Sequence, residues 1–288
     1  MSSLKQFLDN LYKEYSRRER ILHDPVEFPH RYSKPEDIET AALISASFAY
    51  GRVDLFKPVI GRVLEYLGPN PHEALVRLDT VDAVNNLKGV YYRFSNEKDI
   101  AAYLSLLAQA VNRWGSLKNL FFHNGARHAM EDSAMQTLST FTNDILSGDT
   151  ADIYGRSEKP QGLTHLLPDT SRGGTSKRMY MFLRWMVRKD EVDFGLWSEF
   201  GKENLIMPMD THVARIAFRL GLTERKNANY ITAKEITKKL AEFEPDDPVK
   251  YDFALAHMGI SGKCPAKSEP GECKICSAKI FCRTEKGG

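Results

Sequence analysis

"LIMPMDTHVARIAFRLGL", residues 205–222, carries the clearest helical pattern of the chain and sets the expectation for the fold. Apolar residues recur in it at i, i+3, i+4 and i+7, the positions that share one face of an α-helix. Those residues are Val213, Ile216, Ala217 and Leu220. Gly221 follows the last of them, where helices commonly end. The stretch therefore predicts an amphipathic helix with one buried face.

Asp210 stands where this helix begins, so its simplest role is to cap the first turn. The run before it is apolar, however, and His212, Arg215 and Arg219 are expected on the exposed side of the helix. A carboxylate that is partly desolvated beside a cationic surface can also act as a base or stabilise developing positive charge. Its own sequence context leaves both roles open.

The rest of the chain predicts further helices and no convincing strand, which makes the expected fold class all-α. Several segments begin with a proline, an acidic residue or a capping residue and continue with apolar residues at helical spacing. Asn96 is a candidate cap for one of them, and Gly115 is its candidate end. The predicted helical segments include residues 35–52, 53–68, 96–115, 128–148, 232–243 and 246–259.

The composition is that of an ordinary soluble protein, since 42% of the 288 residues are hydrophobic and the net charge is only +2. This balance excludes a uniformly polybasic nucleic-acid binder and leaves only local basic patches. No apolar run approaches the roughly 20 residues of a membrane span. Residues 1–20 have the pattern of a charged amphipathic helix rather than of a signal peptide. We therefore expect a protein of the prokaryotic cytosol or nucleoid, with no membrane partner.

A second helix is unusual because it combines core-type residues with a line of cations. Residues 169–190 contain six Lys and Arg residues, and the only acids stand at the two ends. Met, Phe, Leu and Trp residues run between the cations. Arg184 and Arg188 follow Lys177 at i+7 and i+11 and share its stripe of the helix. We expect them either to line a binding cleft or to pair with acidic residues.

All four cysteines fall in the last 25 residues, in a C-x8-C-x2-C-x5-C pattern formed by Cys264, Cys273, Cys276 and Cys282. In a reducing cytosol this clustering indicates metal binding rather than disulfides. Four thiolates can hold either Zn²⁺ or a [4Fe–4S] cluster. Zinc ribbons usually have two Cys-x2-Cys pairs, and this segment has one. The spacing therefore favours the iron–sulfur cluster, with zinc as the alternative.

Together these motifs resemble the helix-hairpin-helix DNA glycosylases of the endonuclease III and adenine-glycosylase type. The resemblance rests on "MDTHVARIAFRLGL" (209–222), on Gly259 at the end of the last helix, and on the Cys-x2-Cys-x5-Cys tail. It covers about residues 163–282, and more weakly the chain from residue 36, where "IETAALISASFAYGR" is similar to the first barrel helix of the family. The first cysteine gap is longer than in that family.

The resemblance implies two helical domains that flank a DNA-binding cleft, with a helix-hairpin-helix between them. Residues 36–189 would form a six-helix barrel domain that ends in the hairpin and the Lys177 helix. Residues 1–35 and 190–288 would form the second domain, with the cluster loop at 264–282. The cluster would be structural and would shape a basic loop, including Lys274, against the DNA backbone. A monomer is expected.

The resemblance also implies a reaction. Lys177, which by its own context would be a surface lysine at a helix start, matches the nucleophile of family members with lyase activity, and Asp210 matches their catalytic aspartate. The amine would attack C1′, expel the base and form a Schiff base, after which β-elimination can cleave the strand. The base must first be flipped out of the duplex. The implied function is that of a DNA glycosylase and AP lyase in base excision repair, and the implied partner is double-stranded DNA containing a damaged base or an abasic site.

Two departures from the family pattern bear on the DNA contacts and on the substrate. Gly173-Gly174-Thr175 replaces the Gly-x-Gly hairpin whose amides bind a phosphate. The segment between Lys177 and Asp210 is also longer than in compact members, as it is in archaeal 8-oxoguanine glycosylases. An oxidised purine is therefore the expected substrate, with an oxidised pyrimidine as the other candidate. Besides the hairpin glycines, DNA contacts are expected from Arg172, Arg178 and His212.

Base recognition is expected from two segments, which correspond to the loop after the first barrel helix and to the middle of the barrel. "SFAYGRV" supplies Tyr50 and Arg52, and "GVYYRFS" supplies Tyr91, Tyr92, Arg93 and Phe94. Aromatic side chains at these places could stack on a flipped base. They could equally belong to the hydrophobic core, and the sequence leaves both roles open.

Two other functions are compatible with the sequence. The first is a catalytically inactive nucleic-acid-binding protein on the same scaffold, which the altered hairpin favours and the retained Lys177 and Asp210 oppose. The second is a redox protein in which the cluster is the active part. No flavin, nicotinamide or second cluster motif accompanies the cysteines, so this function is the least supported. Covalent trapping of DNA separates the glycosylase from the inactive binding protein.

Overall fold

The computed structural model describes residues 3–123, 133–156, 158–265, 273 and 276–283. Within these ranges the chain is mostly helical, and its β-type pairing is limited to two isolated bridges, Tyr92 with Ser95 and Lys189 with Phe194. The predicted all-α class is confirmed. Across the same ranges, none of the helices combines the length and the apolar composition that crossing a membrane requires.

The α-helices of the described residues are numbered in chain order. They are α1 (Leu4–Tyr15), α2 (Pro35–Phe48), α3 (Val53–Leu67), α4 (Pro71–Val76), α5 (Thr80–Asn86), α6 (Glu97–Trp114), α7 (Leu117–His123), α8 (Ser133–Leu146), α9 (Ala151–Tyr154), α10 (Gln161–Thr164), α11 (Lys177–Val187), α12 (Thr211–Arg219), α13 (Tyr230–Ala241) and α14 (Asp252–Ile260). The helix predicted in residues 205–222 is α12. It is shorter than the quoted stretch because residues 205–210 precede it in a non-helical conformation.

The chain divides into two compact units, which are residues 1–20 with 172–288, and residues 21–171. The divisions expected from the sequence lie later in the chain, after residues 35 and 189. The first division comes earlier because the 3₁₀ turns before residue 32 pack on α2. The second comes earlier because the arginines of α11 bind acidic residues further along the chain. Helix α11 therefore belongs to the discontinuous first unit.

The core of the first unit is shared by α1, α12, α13 and α14. Helix α12 packs on α14, and α14 also packs on α1. The predicted buried face of α12 is confirmed, since its four residues are at most 5% exposed. Core side chains from the four helices include Leu8, Leu11, Val213, Ile216, Ala217, Ile236, Leu240 and Leu255.

Helix α11 is buried from Arg178 to Val187, and its cations are neutralised inside the first unit. Arg184 is 3% exposed, lies 3.2 Å from Asp193 Oδ1 and donates to Asp252. Arg188 is 4% exposed and donates from two nitrogens to Asp247 at 2.8 Å and 3.0 Å. Burial of a charge is tolerated when opposite charges and hydrogen bonds accompany it. Of the two roles expected for these arginines, pairing with acidic residues is the one observed.

The second unit is organised around α6, which packs against α4, α5, α7 and α8. Asn96 caps α6 by accepting hydrogen bonds from the backbone N–H groups of Lys98 and Asp99, and the Asp99 side chain accepts one from Asn96 in return. Gly115 ends the helix with a φ of +81°, a conformation that favours glycine. The predicted cap and the predicted end of this helix are both confirmed.

Candidate catalytic pair and cysteine site

Lys177 and Asp210, 33 positions apart in the chain, form an ion pair in the first unit. Lys177 Nζ lies 2.7 Å from Asp210 Oδ2. Lys177 is the first residue of α11, and Asp210 caps α12 by accepting a 2.8 Å hydrogen bond from the Val213 N–H at Oδ1. Capping and pairing therefore use different oxygens of one carboxylate, and the simple structural role of Asp210 coexists with its contact to the amine.

The pair is partly buried, with side-chain exposures of 30% for Lys177 and 19% for Asp210. Burial raises the pKa of Asp210, but the charge of Lys177 and the hydrogen bond from it outweigh that effect. The pKa of Asp210 consequently lies below its ordinary value of 3.8. Asp210 is therefore a carboxylate at neutral pH, and the Lys177 side chain beside it remains partly exposed to solvent.

The turn before Lys177 has an unusual backbone. Ser176 has a φ of +38°, a left-handed conformation that non-glycine residues rarely adopt and that costs about 1–3 kcal/mol. Gly173 has a φ of +74°, and its carbonyl accepts a 3.2 Å hydrogen bond from the Tyr230 N–H at the start of α13. A side chain added at Gly173 or Gly174 would meet no heavy atom within 4 Å. The turn is thus anchored on one side and open on the other.

His212 lies in the first turn of α12 and packs against α14. A Cβ at Gly259 would come within 2.8 Å of His212 Nδ1, so only glycine fits there without displacement. The same nitrogen lies 3.2 Å from Arg215 Nη2. Burial lowers the pKa of His212 below 6.5 and outweighs the opposite effect of Asp210. His212 is therefore neutral at pH 7.

The other residues predicted to contact phosphates differ in their exposure. Arg172 is exposed, whereas Arg178 is only 8% exposed. A guanidinium group needs access to solvent to reach a DNA phosphate, so the structure favours Arg172 over Arg178 for this role. Lys274 lies outside the described residues.

All four cysteines line one pocket at the C-terminal end of α12, together with Ile216 and Leu220 of that helix. Burial raises the pKa of the Cys276 thiol, and the three other thiols raise it further, which places each of them within electrostatic range of Cys276. Among the described residues, no three Cys, His, Asp or Glu side chains lie close enough together to share a single metal ion. By donor type, four soft sulfur ligands fit an iron–sulfur cluster or zinc.

Two arginines of α12 hold the cysteine segment. Arg219 Nη1 donates to Cys264 Sγ at 3.1 Å and to the Pro265 carbonyl at 2.7 Å. Arg215 Nη2 donates to the Cys264 carbonyl at 2.7 Å. The sequence placed both arginines on the exposed side of the helix, yet Arg219 is only 8% exposed because the cysteine segment covers it. Helix α12 therefore carries Asp210 at its start and binds the first cysteine near its end.

In the second unit, three of the residues predicted to recognise the base lie together. The ring centroids of Tyr50 and Tyr92 are 4.8 Å apart, and Arg93 Cζ lies 6.0 Å from the Tyr50 ring. Tyr92 is 4% exposed, so it has the core role that the sequence left open, whereas Tyr50 is half-buried. Arg52 instead lies 2.6 Å from Asp54 in an exposed ion pair. Two segments that are distant in sequence thus form one aromatic and cationic surface.

Two further residues complete this surface: Phe94, which was among the predicted residues, and His165, which the sequence did not single out. The His165 ring lies 4.8 Å from Tyr50 and 5.0 Å from Phe94. Phe94 is 56% exposed and stands next to Arg93, whose φ of +53° marks the tight turn between Tyr92 and Ser95. Phe94 belongs to the quoted motif, but His165 has no local pattern that singles it out. We call Tyr50, Tyr92, Phe94 and His165 the aromatic cluster.

A comparison with protein families gives a match to the model described as "Protein of unknown function (DUF2400)", over residues 24–261. The chain belongs to the DUF2400 family. The matched range contains Lys177, Asp210 and the aromatic cluster, and it ends shortly before Cys264. No curated protein and no solved structure matches the chain. The family description assigns no activity, so function has to be argued from the residues themselves.

Proposed function

We propose that this DUF2400 protein is a DNA glycosylase with AP-lyase activity that removes damaged bases in base excision repair. The observation that carries the proposal is the 2.7 Å contact between Lys177 Nζ and Asp210 Oδ2. These are the two residues for which the resemblance implies chemistry, although 33 positions separate them in the chain. Their contact supports a joint role because a general base must lie within hydrogen-bond reach of the proton that it accepts.

In the proposed reaction, the substrate displaces water from the ion pair, which raises the pKa of Asp210 and lowers that of the Lys177 ammonium group, so that a proton passes from the amine to the carboxylate. The neutral amine then attacks C1′, the bond between C1′ and the base breaks, and the departing base takes up a proton. The bond between C1′ and the ring oxygen then breaks, the ring oxygen takes up the proton that the nitrogen releases, and the opened sugar is left as a protonated imine on Lys177. Loss of a C2′ proton then expels the 3′ phosphate. Water hydrolyses the imine and restores the amine. The carboxylate of Asp210 also stabilises the positive charge that develops at C1′.

The buried charges of α11 support this mechanism because they fix the helix that carries Lys177. Arg184, two turns after Lys177, is bound to Asp193 and to Asp252 in surroundings that are at most 5% exposed. A helix that is held in this way cannot shift along its axis without separating buried charges. A nucleophile that is fixed before the substrate arrives loses less entropy in the reaction.

The proposed substrate is double-stranded DNA with an oxidised purine or pyrimidine, or with an abasic site. The aromatic cluster supports this choice, since Tyr50 and the exposed Phe94 offer π-faces and Arg93 adds a cation beside them. Flipping a base costs a few kcal/mol, and stacking on an aromatic side chain contributes about 1–3 kcal/mol per base. The exposed Arg52 is a further candidate for contact with the DNA.

The proposal includes a [4Fe–4S] cluster held by the four cysteines, with zinc as the alternative. When bound, the group would cross-link the C-terminal segment and have no role in bond cleavage. Arg215 and Arg219 would join the cross-linked segment to α12, whose N-terminal cap is Asp210. The same charge-assisted contact from Arg219 would stabilise the thiolate form of Cys264.

The finer architecture is also part of the proposal. Two helical domains would flank a DNA-binding cleft, and the turn at Gly173 and Gly174 would act as the hairpin whose amides bind a phosphate. The open space around both glycines supports this use of the turn. The protein would act as a monomer in the prokaryotic cytosol or nucleoid.

The test is borohydride trapping on duplex DNA that contains an abasic site. The decisive variant is Lys177→Arg, because arginine keeps a cation opposite Asp210 but its guanidinium stays protonated and forms no Schiff base. Lys177→Gln removes both the charge and the amine. Lys238→Gln is the matched control, since Lys238 is exposed on α13 in the same unit. Wild type and the control should give a covalent protein–DNA band, and both Lys177 variants should give none.

A band that persists in Lys177→Arg would place the nucleophile elsewhere in the chain. If folded, metal-loaded wild type gives no band, the lyase mechanism is wrong. Tight binding of DNA in that case would point to the catalytically inactive binding protein. A positive result would be followed by single-turnover assays on duplexes with oxidised purines and pyrimidines, which identify the base that is released.

A further inference from the structure

The turn at residues 91–95 of the second unit presents two aromatic side chains and a cation to solvent. Tyr91 is 73% exposed and Phe94 is 56% exposed, and Arg93 between them is exposed as well. Aromatic side chains bury a large apolar area when they are covered, and that burial is favourable. Two of them exposed on one short turn therefore indicate a contact surface.

The backbone of this turn is closed at both ends and docked on a neighbouring segment. Tyr92 and Ser95 exchange two backbone hydrogen bonds of 2.8 Å and 2.9 Å, so Arg93 and Phe94 are the central residues of a two-residue hairpin turn. The Ser95 hydroxyl also donates a 2.7 Å hydrogen bond to the buried Gly162 carbonyl. The exposed side chains consequently project from a fixed backbone.

Arg93 is held in a conformation that glycine usually occupies. A positive φ at the first central residue alone is typical of a type II′ turn, which favours glycine there, and Arg93 has a φ of +53°. Its side chain reaches Gly51, where an added Cβ would lie 2.8 Å from Arg93 Nη2. Its Cζ lies 6.0 Å from the centroid of the Tyr50 ring. A strained residue and a close contact that favours glycine thus together place the guanidinium beside Tyr50.

In the described part of the chain, the Arg93 guanidinium has no acidic partner. It forms no hydrogen bond and no ion pair with the described residues, and its electrostatic contact is with the Tyr50 ring. The nearby Arg52, by contrast, lies 2.6 Å from Asp54. Guanidinium groups bind carboxylates and phosphates through charge-assisted hydrogen bonds. A guanidinium that is fixed in place without an anion of its own therefore points to an anionic partner from outside the chain.

We propose that this surface binds unpaired nucleotides of single-stranded nucleic acid, with a phosphate on Arg93 and bases stacked on Tyr91 and Phe94. The order of the exposed side chains is aromatic, cationic and aromatic, which matches a strand whose bases alternate with phosphates. In a duplex the faces of the bases are covered by neighbouring base pairs, whereas an unpaired strand offers them for stacking. His165 lies 5.0 Å from Phe94 and 4.8 Å from Tyr50, measured between ring centroids, and extends the aromatic surface.

This binding requires none of the chemistry proposed for Lys177 and Asp210, so it is independent of the repair reaction. A base flipped out of a duplex is itself an unpaired nucleotide, and the same surface can serve both. An acidic segment of another protein would also pair with Arg93, but it would leave the flat faces of the two exposed rings without planar partners. Single-stranded nucleic acid uses all three side chains.

The test is fluorescence anisotropy of the full chain with a labelled, undamaged strand of about twelve thymidines, within the usual range of single-strand sites. A uridine RNA strand of the same length is the second ligand, and the DNA strand annealed to its complement is the control ligand. The variants are Tyr91→Ala, Phe94→Ala and Arg93→Gly, the last of which removes the guanidinium but readily adopts a positive φ. Two control variants alter the same unit. Val81→Ala trims an apolar side chain that is 71% exposed, and Arg77→Gln removes a cation whose side chain is 76% exposed.

Wild type should bind at least one single strand about tenfold or more tightly than the duplex, because only the strand offers its base faces. Tyr91→Ala and Phe94→Ala should each weaken this binding about five- to hundredfold, which corresponds to the loss of stacking on one base. Arg93→Gly should weaken binding and also reduce the slope of log affinity against log salt concentration by about 0.7, the value for one phosphate of a single strand. Phe94→Ala should leave that slope unchanged. Both control variants should bind as wild type does.

The relative affinities for the DNA and RNA strands identify the nucleic acid, and binding of either one supports the site. Absence of binding to both strands overturns the proposal and leaves contact with another protein as the use of the exposed rings. Equally tight binding of the duplex overturns it as well. So does binding that Phe94→Ala and Arg93→Gly leave unchanged, because the strand would then lie elsewhere on the protein. The strands carry no lesion and no abasic site, so these results are separate from the trapping experiment on Lys177.

Discussion

Replacing Arg188 with methionine should destabilise the first unit strongly, because it removes the cation shared by three neighbouring carboxylates and leaves only Arg184 beside one of them, Asp193. Arg188 binds both oxygens of Asp247 at 2.8 Å and 3.0 Å, lies 3.0 Å from Asp190 Oδ2, and also donates to Asp193. Its side chain is 4% exposed. Met fills a similar volume, so the change removes charge and hydrogen bonds with little loss of packing.

The size of the loss in the free energy of unfolding depends on how exposed the three carboxylates are that Arg188 binds. Removal of one partner from a buried ion pair typically costs about 3–5 kcal/mol. Asp190 and Asp247 are 11% and 15% exposed and can regain some hydration, whereas Asp193 is 1% exposed and cannot. We therefore expect a loss of about 3 kcal/mol in the free energy of unfolding, toward the lower end of that range.

Urea unfolding followed by tryptophan fluorescence measures this loss, because Trp185 and Trp197 are fully buried in the first unit. The matched control is Arg225→Met, which breaks an ion pair with Glu235 whose side chains are 51% and 37% exposed. That change should alter the free energy of unfolding by no more than about 0.5 kcal/mol. If Arg188→Met costs less than about 1 kcal/mol, or no more than the control, the buried network does not hold α11 in place.

Three further predictions concern the candidate sites. Asp210→Asn should keep the cap of α12, since Asn caps as well as Asp, but should slow Schiff-base trapping in single-turnover assays by at least about a hundredfold. The folded-state pKa of Asp210 lies below 3.8, so its ion pair stabilises wild type above that pH. Wild type should therefore lose more stability than the variant as the pH falls from about 5 to 3. Cys276→Ser should lower the metal content measured by elemental analysis to well below that of wild type, and an unchanged content would remove this residue from the ligand set. Gly259→Ala should cost about 1–3 kcal/mol in thermal unfolding, because its Cβ would lie within 2.8 Å of the His212 ring, and an unchanged melting temperature would contradict this packing.

The helical fold could be predicted from the sequence because its signals are local. The apolar spacing of α12, the Asn96 cap and the Gly115 end depend on residues a few positions apart, and the structure has all three. For Arg184 and Arg188, pairing with acidic residues was only one of the two roles that the sequence left open. Their acidic partners lie up to 68 positions away, and no local pattern indicates such a contact.

The candidate sites likewise could be predicted only where their residues lie close together in the sequence. The four cysteines share a short segment, so their grouping was visible in the sequence. The role of Lys177 came from the resemblance, and its contact with Asp210 across 33 positions became visible only in three dimensions. His165 joins Tyr50 and Phe94 through tertiary packing alone.

The central claim is that the Lys177 amine forms the covalent bond to DNA, and peptide mapping of the borohydride-trapped complex tests it most directly. The trapped protein is digested with protease and nuclease, and the peptide that carries the sugar remnant is sequenced by mass spectrometry. The account predicts a single modified peptide with the added mass on Lys177, and loss of that peptide in Lys177→Arg. An adduct on another lysine or on the N-terminal amine, with Lys177 unmodified, would contradict it.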